Sequence, residues 1–198
     1  MEGHRGPSRY GVDPNLDAEI EALERRIEAL KAERTDARRR RAPEPVVDHE
    51  VGTTEGPRPL SDLFDAHDDL LLVHNMGTTC AYCTLWADGL VGLLPHLTRR
   101  SAVALLTPDP PEVQRAFAAA RGWPFVMASD PSRATAMALG FATEEGSSLP
   151  GVSALRRLAD GSIVRTGRAE FGPGDDYCAV YPLFDLLEGG VGDWAPRI

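Results

Sequence analysis

The stretch HNMGTTCAYCTLWADG, residues 74–89, holds two cysteines, Cys80 and Cys83, separated by two residues. The preceding run LLLVHN is apolar and typical of a buried strand, and the residues that follow are typical of a helix. The cysteines are therefore expected where a strand-to-helix loop ends and the helix begins. By residue type alone they are a redox pair, half of a metal site, or two small core residues.

The predicted position favours the redox interpretation. Free backbone N–H groups and the dipole at a helix start stabilise a thiolate at Cys80. The i, i+3 spacing places Cys83 on the same face one turn later, so Cys80 is the predicted nucleophile and Cys83 the resolving thiol. The substrate-contacting candidates nearby are Thr79, Tyr82 and Trp86. For Trp86, core packing remains an alternative.

The rest of the chain alternates between strand-like and helix-like segments. Strands are predicted at 70–75, 102–107 and 124–129, and helices at 80–96, 110–122 and 130–141. A hairpin with its turn at Asp160-Gly161 and a last helix near 181–190 follow. This order predicts an α/β fold, with a mixed sheet flanked by helices.

The first part of the chain differs in composition. Residues 1–15 are rich in Gly, Pro and polar residues and are predicted to be disordered, and residues 43–198 are predicted to form the α/β domain. Residues 16–42 are predicted to form a charged amphipathic helix. Its apolar face must pack on its own domain or on a twin helix in a homodimer, and consists of Leu16, Ile20, Leu23, Ile27 and Leu30.

Charge and composition limit the partners and the compartment. The net charge is −9, and residues 43–198 carry 11 Lys/Arg against 21 Asp/Glu, which argues against a nucleic-acid partner. No apolar run approaches the ~20 residues needed to span a bilayer, and the first residues lack a secretory signal. We therefore expect a cytoplasmic protein with no membrane partner.

The cysteine count gives little support for a metal site. Structural zinc normally requires four ligands, whereas this chain has one cysteine pair, a lone Cys178 and five scattered histidines. A copper or iron site through Cys80, Cys83 and His74 has no further support, so neither a metal nor another cofactor is expected. Cys178 is interpreted as a packed core residue.

Strand, CxxC at a helix start, and a terminal ββα arrangement resemble the thioredoxin fold. The block LSDLFDAHDDLLLVHNM with CAYCTLWADG and LPHL, the later RGWPF, and the charged N-terminal helix resemble the DUF899 thioredoxin-like family. The resemblance spans residues 16–188 and is most specific over 60–97. Because that family has no established substrate, it implies the fold and thiol chemistry only.

At four positions this chain differs from relatives of this fold. Thioredoxins carry a buried acid six residues before the first cysteine, a place held here by His74, which is either a proton acceptor for Cys83 or a core histidine. Their cis-proline maps near Val152, a further substrate-contacting candidate, with Pro150 two residues early. Peroxiredoxins have Pro and Thr where this chain has Val73 and Gly77.

The predicted function is thiol-disulfide exchange on a protein or small-molecule substrate that carries a thiol or disulfide. One alternative is a redox-inactive binding or assembly protein with the thioredoxin fold. Another is a dedicated biosynthetic enzyme whose cysteine pair acts on a small molecule. Reactivity of Cys80 towards a thiol probe at neutral pH separates the first function from the binding protein.

Overall fold

The structure is a computed structural model that describes residues 13–198. The chain divides into two units, and the first ends at Ala42 and the second begins at Pro43. The first unit is the helix α1, Pro14–Arg40. The Asp13 carboxylate caps it by accepting the Asn15 N–H at 3.0 Å. The helix thus begins inside the stretch predicted to be disordered, and residues 1–12 of that stretch lie outside the described residues. Its apolar side chains, named above, are each about half exposed.

The second unit is built on one eight-stranded mixed sheet. In space the strands run β1-β8-β7-β4-β5-β6-β2-β3, so β1 and β3 form the two edges. In chain order they are β1 Glu44–Val46, β2 Glu50–Thr53, β3 Gly56–Pro59, β4 Asp69–His74, β5 Ala102–Thr107, β6 Val126–Ser129, β7 Gly151–Arg157 and β8 Ile163–Glu170.

Helices cover this sheet and connect its central strands. They are α2 Ala81–Val91, α3 Leu94–Leu97, α4 Pro111–Arg121, α5 Ala134–Ala138 and α6 Val180–Phe184, with a 3₁₀ turn at Leu60–Phe64. The strands β4, β5 and β6 are parallel, and β7 pairs antiparallel with β4. The predicted thioredoxin-like mixed sheet with flanking helices and an additional N-terminal helix is confirmed.

The alternation of β4 side chains separates two apolar cores, one on each face of the sheet. Leu70 and Leu72 belong to a core that includes Phe141. Val73 belongs to the other core, which includes Ala87 of α2. The helix that carries the cysteines therefore packs on the Val73 face.

Three segments differ from the sequence-based expectations. The short strands β1, β2 and β3 were not predicted, because each has only three or four residues. The helix expected over 80–96 is divided into α2 and α3 at Gly92, shortly before Pro95. The helix expected over 130–141 is only α5, since Asp130 begins a turn and accepts the Ala136 N–H at 2.9 Å.

Among residues 13–198, no helix has both the length and the apolar character that crossing a bilayer requires.

Candidate functional site

Cys80 is the N-cap residue of α2, where it has an extended backbone. Its sulfur accepts the backbone N–H of Cys83 at 3.1 Å, the bond that Ser or Asp normally accepts at this position. A backbone donor and the positive end of the helix dipole stabilise negative charge on this half-buried sulfur. The predicted placement at a strand-to-helix loop agrees with the geometry.

Cys83 lies one turn into α2 and is buried, with 4% of its surface exposed. Burial raises the pKa of the Cys83 thiol well above its ordinary value, and the interaction with Cys80 raises it further. The Met76 N–H donates to its sulfur at 3.3 Å and opposes this shift only in part. The two thiols are therefore unequal: Cys80 is accessible, and Cys83 is held protonated at neutral pH.

The loop before the cysteines is shaped by two side chains. Asn75 Oδ1 accepts the Gly77 N–H at 2.8 Å, and Asp109 Oδ2 accepts the Thr78 N–H at 2.7 Å. Gly77 has a φ of +116°, which strongly favours glycine, and a Cβ there would lie 3.1 Å from Asp109 Oδ2, a tight contact. The role of Asp109 was not predicted from sequence.

His74 ends β4 on the face opposite α2. Its Nε2 lies 2.9 Å from Ser153 Oγ, and its ring stacks on Phe141 with centroids 4.0 Å apart. Burial lowers the pKa of His74 to about 3, with the positive charge of Arg165 as a second cause. Its Nδ1 has no hydrogen-bond partner among the described residues. These contacts favour a neutral packing residue, and the predicted role as proton acceptor stays a prediction.

A cavity of about 260 Å³ opens beside Cys83. It is lined by Met76, Tyr82, Cys83, Trp86, Pro150 and Phe171, and by the Gly172-Pro173 segment. Of the predicted substrate-contacting residues, the structure thus brings Tyr82 and Trp86 together beside the Cys83 thiol.

The other two predicted substrate-contacting residues do not line this cavity. Thr79 is exposed in the loop before Cys80. Val152 lies within β7, where it pairs with Val73 and Ala169. Because β7 begins at Gly151, Pro150 directly precedes the strand, and it is Pro150 that reaches the cavity. A proline followed by a glycine at positions 150 and 151 is typical of a turn. This signal in the sequence could have placed the start of the strand before Val152.

Asp175 holds the far wall of the cavity against α2. Its Oδ2 accepts the Trp86 Nε1–H at 2.8 Å and the Gly172 N–H at 3.0 Å. The Phe171 N–H donates to the Pro150 carbonyl at 3.0 Å, which joins two more cavity residues. No sequence signal pointed to Asp175, which lies 89 residues after Trp86.

Cys178 is buried, and its pKa is raised mainly by that burial. Its N–H donates to Asp175 Oδ1 at 3.0 Å. Within residues 13–198, no cluster of three or more His, Cys, Asp or Glu side chains is arranged to hold a metal ion.

Comparison with known proteins identifies a family and a fold. The model of the DUF899 family, described as "Bacterial protein of unknown function", matches residues 13–191. No curated protein matches the chain.

Two similar solved structures share the fold. Reduced Prx3 from Vibrio vulnificus in complex with H₂O₂ has a TM-score of 0.54 and 16% identity, over 68% of this chain and 87% of that chain. The reduced 2-Cys peroxiredoxin from Plasmodium vivax has a TM-score of 0.51 and 16% identity, over 68% and 88%. At this identity the likeness shows a thioredoxin-like fold.

Proposed function

The chain belongs to the DUF899 family, and we propose that it is a thiol-disulfide oxidoreductase that uses Cys80 and Cys83. The observation that carries the proposal is the asymmetry of the pair. The Cys80 sulfur is half-buried and accepts the Cys83 N–H, whereas the Cys83 thiol is buried and its pKa is raised.

The chemistry follows from this asymmetry. The Cys80 thiolate attacks one sulfur of a substrate disulfide, forms a mixed disulfide and releases one substrate thiolate, which takes a proton from water. Cys83 then loses its proton, attacks the Cys80 sulfur and releases the second substrate thiol. The products are two thiols and a Cys80–Cys83 disulfide, and an external dithiol returns the pair to its reduced form.

Peroxide reduction of the peroxiredoxin type is less well supported. Peroxiredoxins carry a threonine three residues before the reactive cysteine, where this chain has Gly77. A side chain at Gly77 meets Asp109 and an unfavourable φ. The peroxiredoxin neighbours therefore support the fold, and the proposed thiol chemistry rests on the cysteine pair.

The test is to follow each cysteine by mass spectrometry after mild oxidation with diamide. The parent protein is expected to lose two hydrogens at the peptides that carry Cys80 and Cys83. Cys83→Ser should accumulate mixed disulfides with a thiol substrate, and Cys80→Ser should accumulate none. Cys178→Ser is the matched control and should behave as the parent.

Two results would contradict the proposal. A disulfide that requires Cys178 would reassign the reactive pair. Cysteines that stay reduced and do not react with a thiol probe at neutral pH would favour a binding or assembly protein instead.

A further inference from the structure

The cavity beside Cys83 has an almost wholly apolar lining. Apart from the thiol itself, its side chains offer two polar groups, the Tyr82 hydroxyl and the Trp86 Nε1–H. The Trp86 donor is already used by Asp175. Among residues 13–198, no charged side chain lines the cavity, so an ion placed there would lose its hydration without gaining a partner.

We propose that this cavity binds the apolar part of a small, neutral, aromatic disulfide, whose sulfur reacts with Cys80. The proposal rests on the proposed thiol-disulfide exchange and adds a substrate class to it. It makes Trp86, Phe171 and Tyr82 determinants of specificity and gives the loop at Pro173 control over the charge that the site accepts.

The size and shape of the lining favour a small aromatic occupant. Pockets for drug-sized ligands measure about 300–1,000 Å³, and the 260 Å³ here is suited to one or two rings. The Trp86 and Phe171 rings lie 6.2 Å apart with planes inclined by 20°, and Tyr82 lies 6.5 Å from Trp86. An aromatic occupant gains offset or edge contacts with these rings.

The same lining disfavours peptide and anionic disulfides. A peptide segment would bury backbone N–H and C=O groups against proline and aromatic surfaces, where most would stay unpaired. An anionic disulfide would find no Lys or Arg among the lining residues. Residues 43–198 contain more Asp and Glu than Lys and Arg, and this negative charge repels an anionic disulfide at longer range.

In the proposed reaction, the Cys80 thiolate attacks one sulfur of the aromatic disulfide. A Cys80–S–S–aryl bond forms, the substrate S–S bond breaks, and one aryl thiol leaves. Attack by Cys83 on the Cys80 sulfur then releases the second aryl thiol. The substrate is reduced by two electrons and the cysteine pair is oxidised by two.

The experiment compares two aromatic disulfides of different charge on the reduced full-length protein. The probes are 2,2′-dithiodipyridine, which is neutral, and 5,5′-dithiobis(2-nitrobenzoate), which is a dianion. Stopped-flow absorbance gives each rate, divided by the rate of the same probe with dithiothreitol. The neutral probe should be favoured about tenfold or more on this relative scale.

Exchanging the exposed residue Pro173 tests the charge selectivity without opening the core. Pro173→Lys places a cation at the cavity and should raise the dianion rate about three- to tenfold at low ionic strength. The gain should fall at 0.5 M salt, because the Debye length is then roughly 4–5 Å and exposed charges farther apart than this are largely screened. Pro173→Gln is the neutral control and should leave the dianion rate at the parent value.

Removing an aromatic wall tests the contacts directly. Phe171→Ala should lower the relative rate of the neutral probe about two- to tenfold. Phe184→Ala, a partly buried aromatic outside the lining, should leave it unchanged.

The outcomes distinguish the two proposals. If both probes oxidise Cys80 and Cys83 with no relative preference, or if Pro173→Lys and Phe171→Ala both leave the rates unchanged, the substrate class is wrong and the oxidoreductase stands. If neither probe produces a Cys80–Cys83 disulfide, the proposed function itself is wrong.

Discussion

The imidazole of His74 lies nearly parallel to the ring of Phe141, with centroids 4.0 Å apart and planes inclined by 13°. Its Nε2 is hydrogen-bonded to Ser153, and its burial, followed by the positive charge of Arg165 in β8, opposes its protonation. His74 is therefore a neutral residue in the core opposite α2.

This burial predicts a loss of stability at acidic pH. The pKa of His74 is lowered to about 3 in the folded protein, against 6.5 ordinarily. Protons therefore bind the unfolded chain preferentially, so the stability contribution is present above pH 6.5 and is lost as pH falls towards 3. Between pH 6.5 and 5.5 the free energy of unfolding should fall by about 1 kcal/mol from this group.

The measurement is urea unfolding across this pH range. His74→Gln should reduce the pH slope, whereas the exposed control His96→Gln should retain it. An unchanged slope in His74→Gln would contradict the neutral assignment.

The predicted role of His74 as a proton acceptor for Cys83 is tested on the same variant. That role requires slower breakdown of the mixed disulfide in His74→Gln between pH 6 and 8.

The raised pKa of Cys83 predicts an unusual alkylation profile. In the variant Cys80→Ser, the rate of Cys83 alkylation by iodoacetamide should rise about tenfold per pH unit through pH 9, since only the thiolate reacts. Unfolding in urea provides the control. The alkylation rate of the same thiol should then level off as the pH passes its reference pKa of about 8.5. A plateau below pH 9 in the folded variant would show that burial does not hold the thiol protonated.

Gly151, at the start of β7, has no room for a side chain. An added Cβ would lie 2.2 Å from Phe141 Cε1 and 2.4 Å from the Ala169 carbonyl oxygen. The carbonyl belongs to the paired strand and cannot move alone, so Gly151→Ala should destabilise the fold by at least about 2 kcal/mol. Gly167→Ala is the control, because its Cβ meets only Ala154 at 3.9 Å. Equal stability of the two variants by thermal unfolding would refute this account.

The apolar face of α1 predicts a homodimer of the full-length chain. Leu23 and Ile27 are about half exposed, and burying such a side chain fully contributes roughly 1.5–3 kcal/mol. The double variant Leu23→Ser/Ile27→Ser should shift sedimentation from dimer to monomer. Ala22→Ser/Ala29→Ser, on another face, should remain dimeric. A parent protein that remains monomeric at about 50 μM, roughly fifty times a dissociation constant of 1 μM, would exclude the contact.

The strand β4, its loop and the start of α2 could be predicted because their signals are local. An apolar run, a loop and a cysteine pair lie within about twenty residues of sequence, and each follows a simple period or spacing. The far wall of the cavity could not be predicted in the same way. Phe171 and Asp175 lie 85 and 89 residues after Trp86 in the chain, and one sequence holds no signal for contacts at that separation.

The short strands β1, β2 and β3 escaped prediction for a different reason. They have three or four residues each, and two of them contain proline, which ordinarily argues against a strand. The strands β1 and β2 pair with β8 and β6, which lie far away in sequence, and β3 forms a strand by pairing with β2. Tertiary context decided these elements.

The two strands that contain proline, β1 and β3, are also the two edge strands of the sheet. Pro45 in β1 and Pro57 and Pro59 in β3 remove N–H donors from strands that would otherwise offer a row of free hydrogen-bonding groups. Arg58 adds a charge within β3. Pairing of an edge strand with the sheet of a second molecule is therefore disfavoured at both edges. This protects the fold against fibrillar aggregation through its sheet.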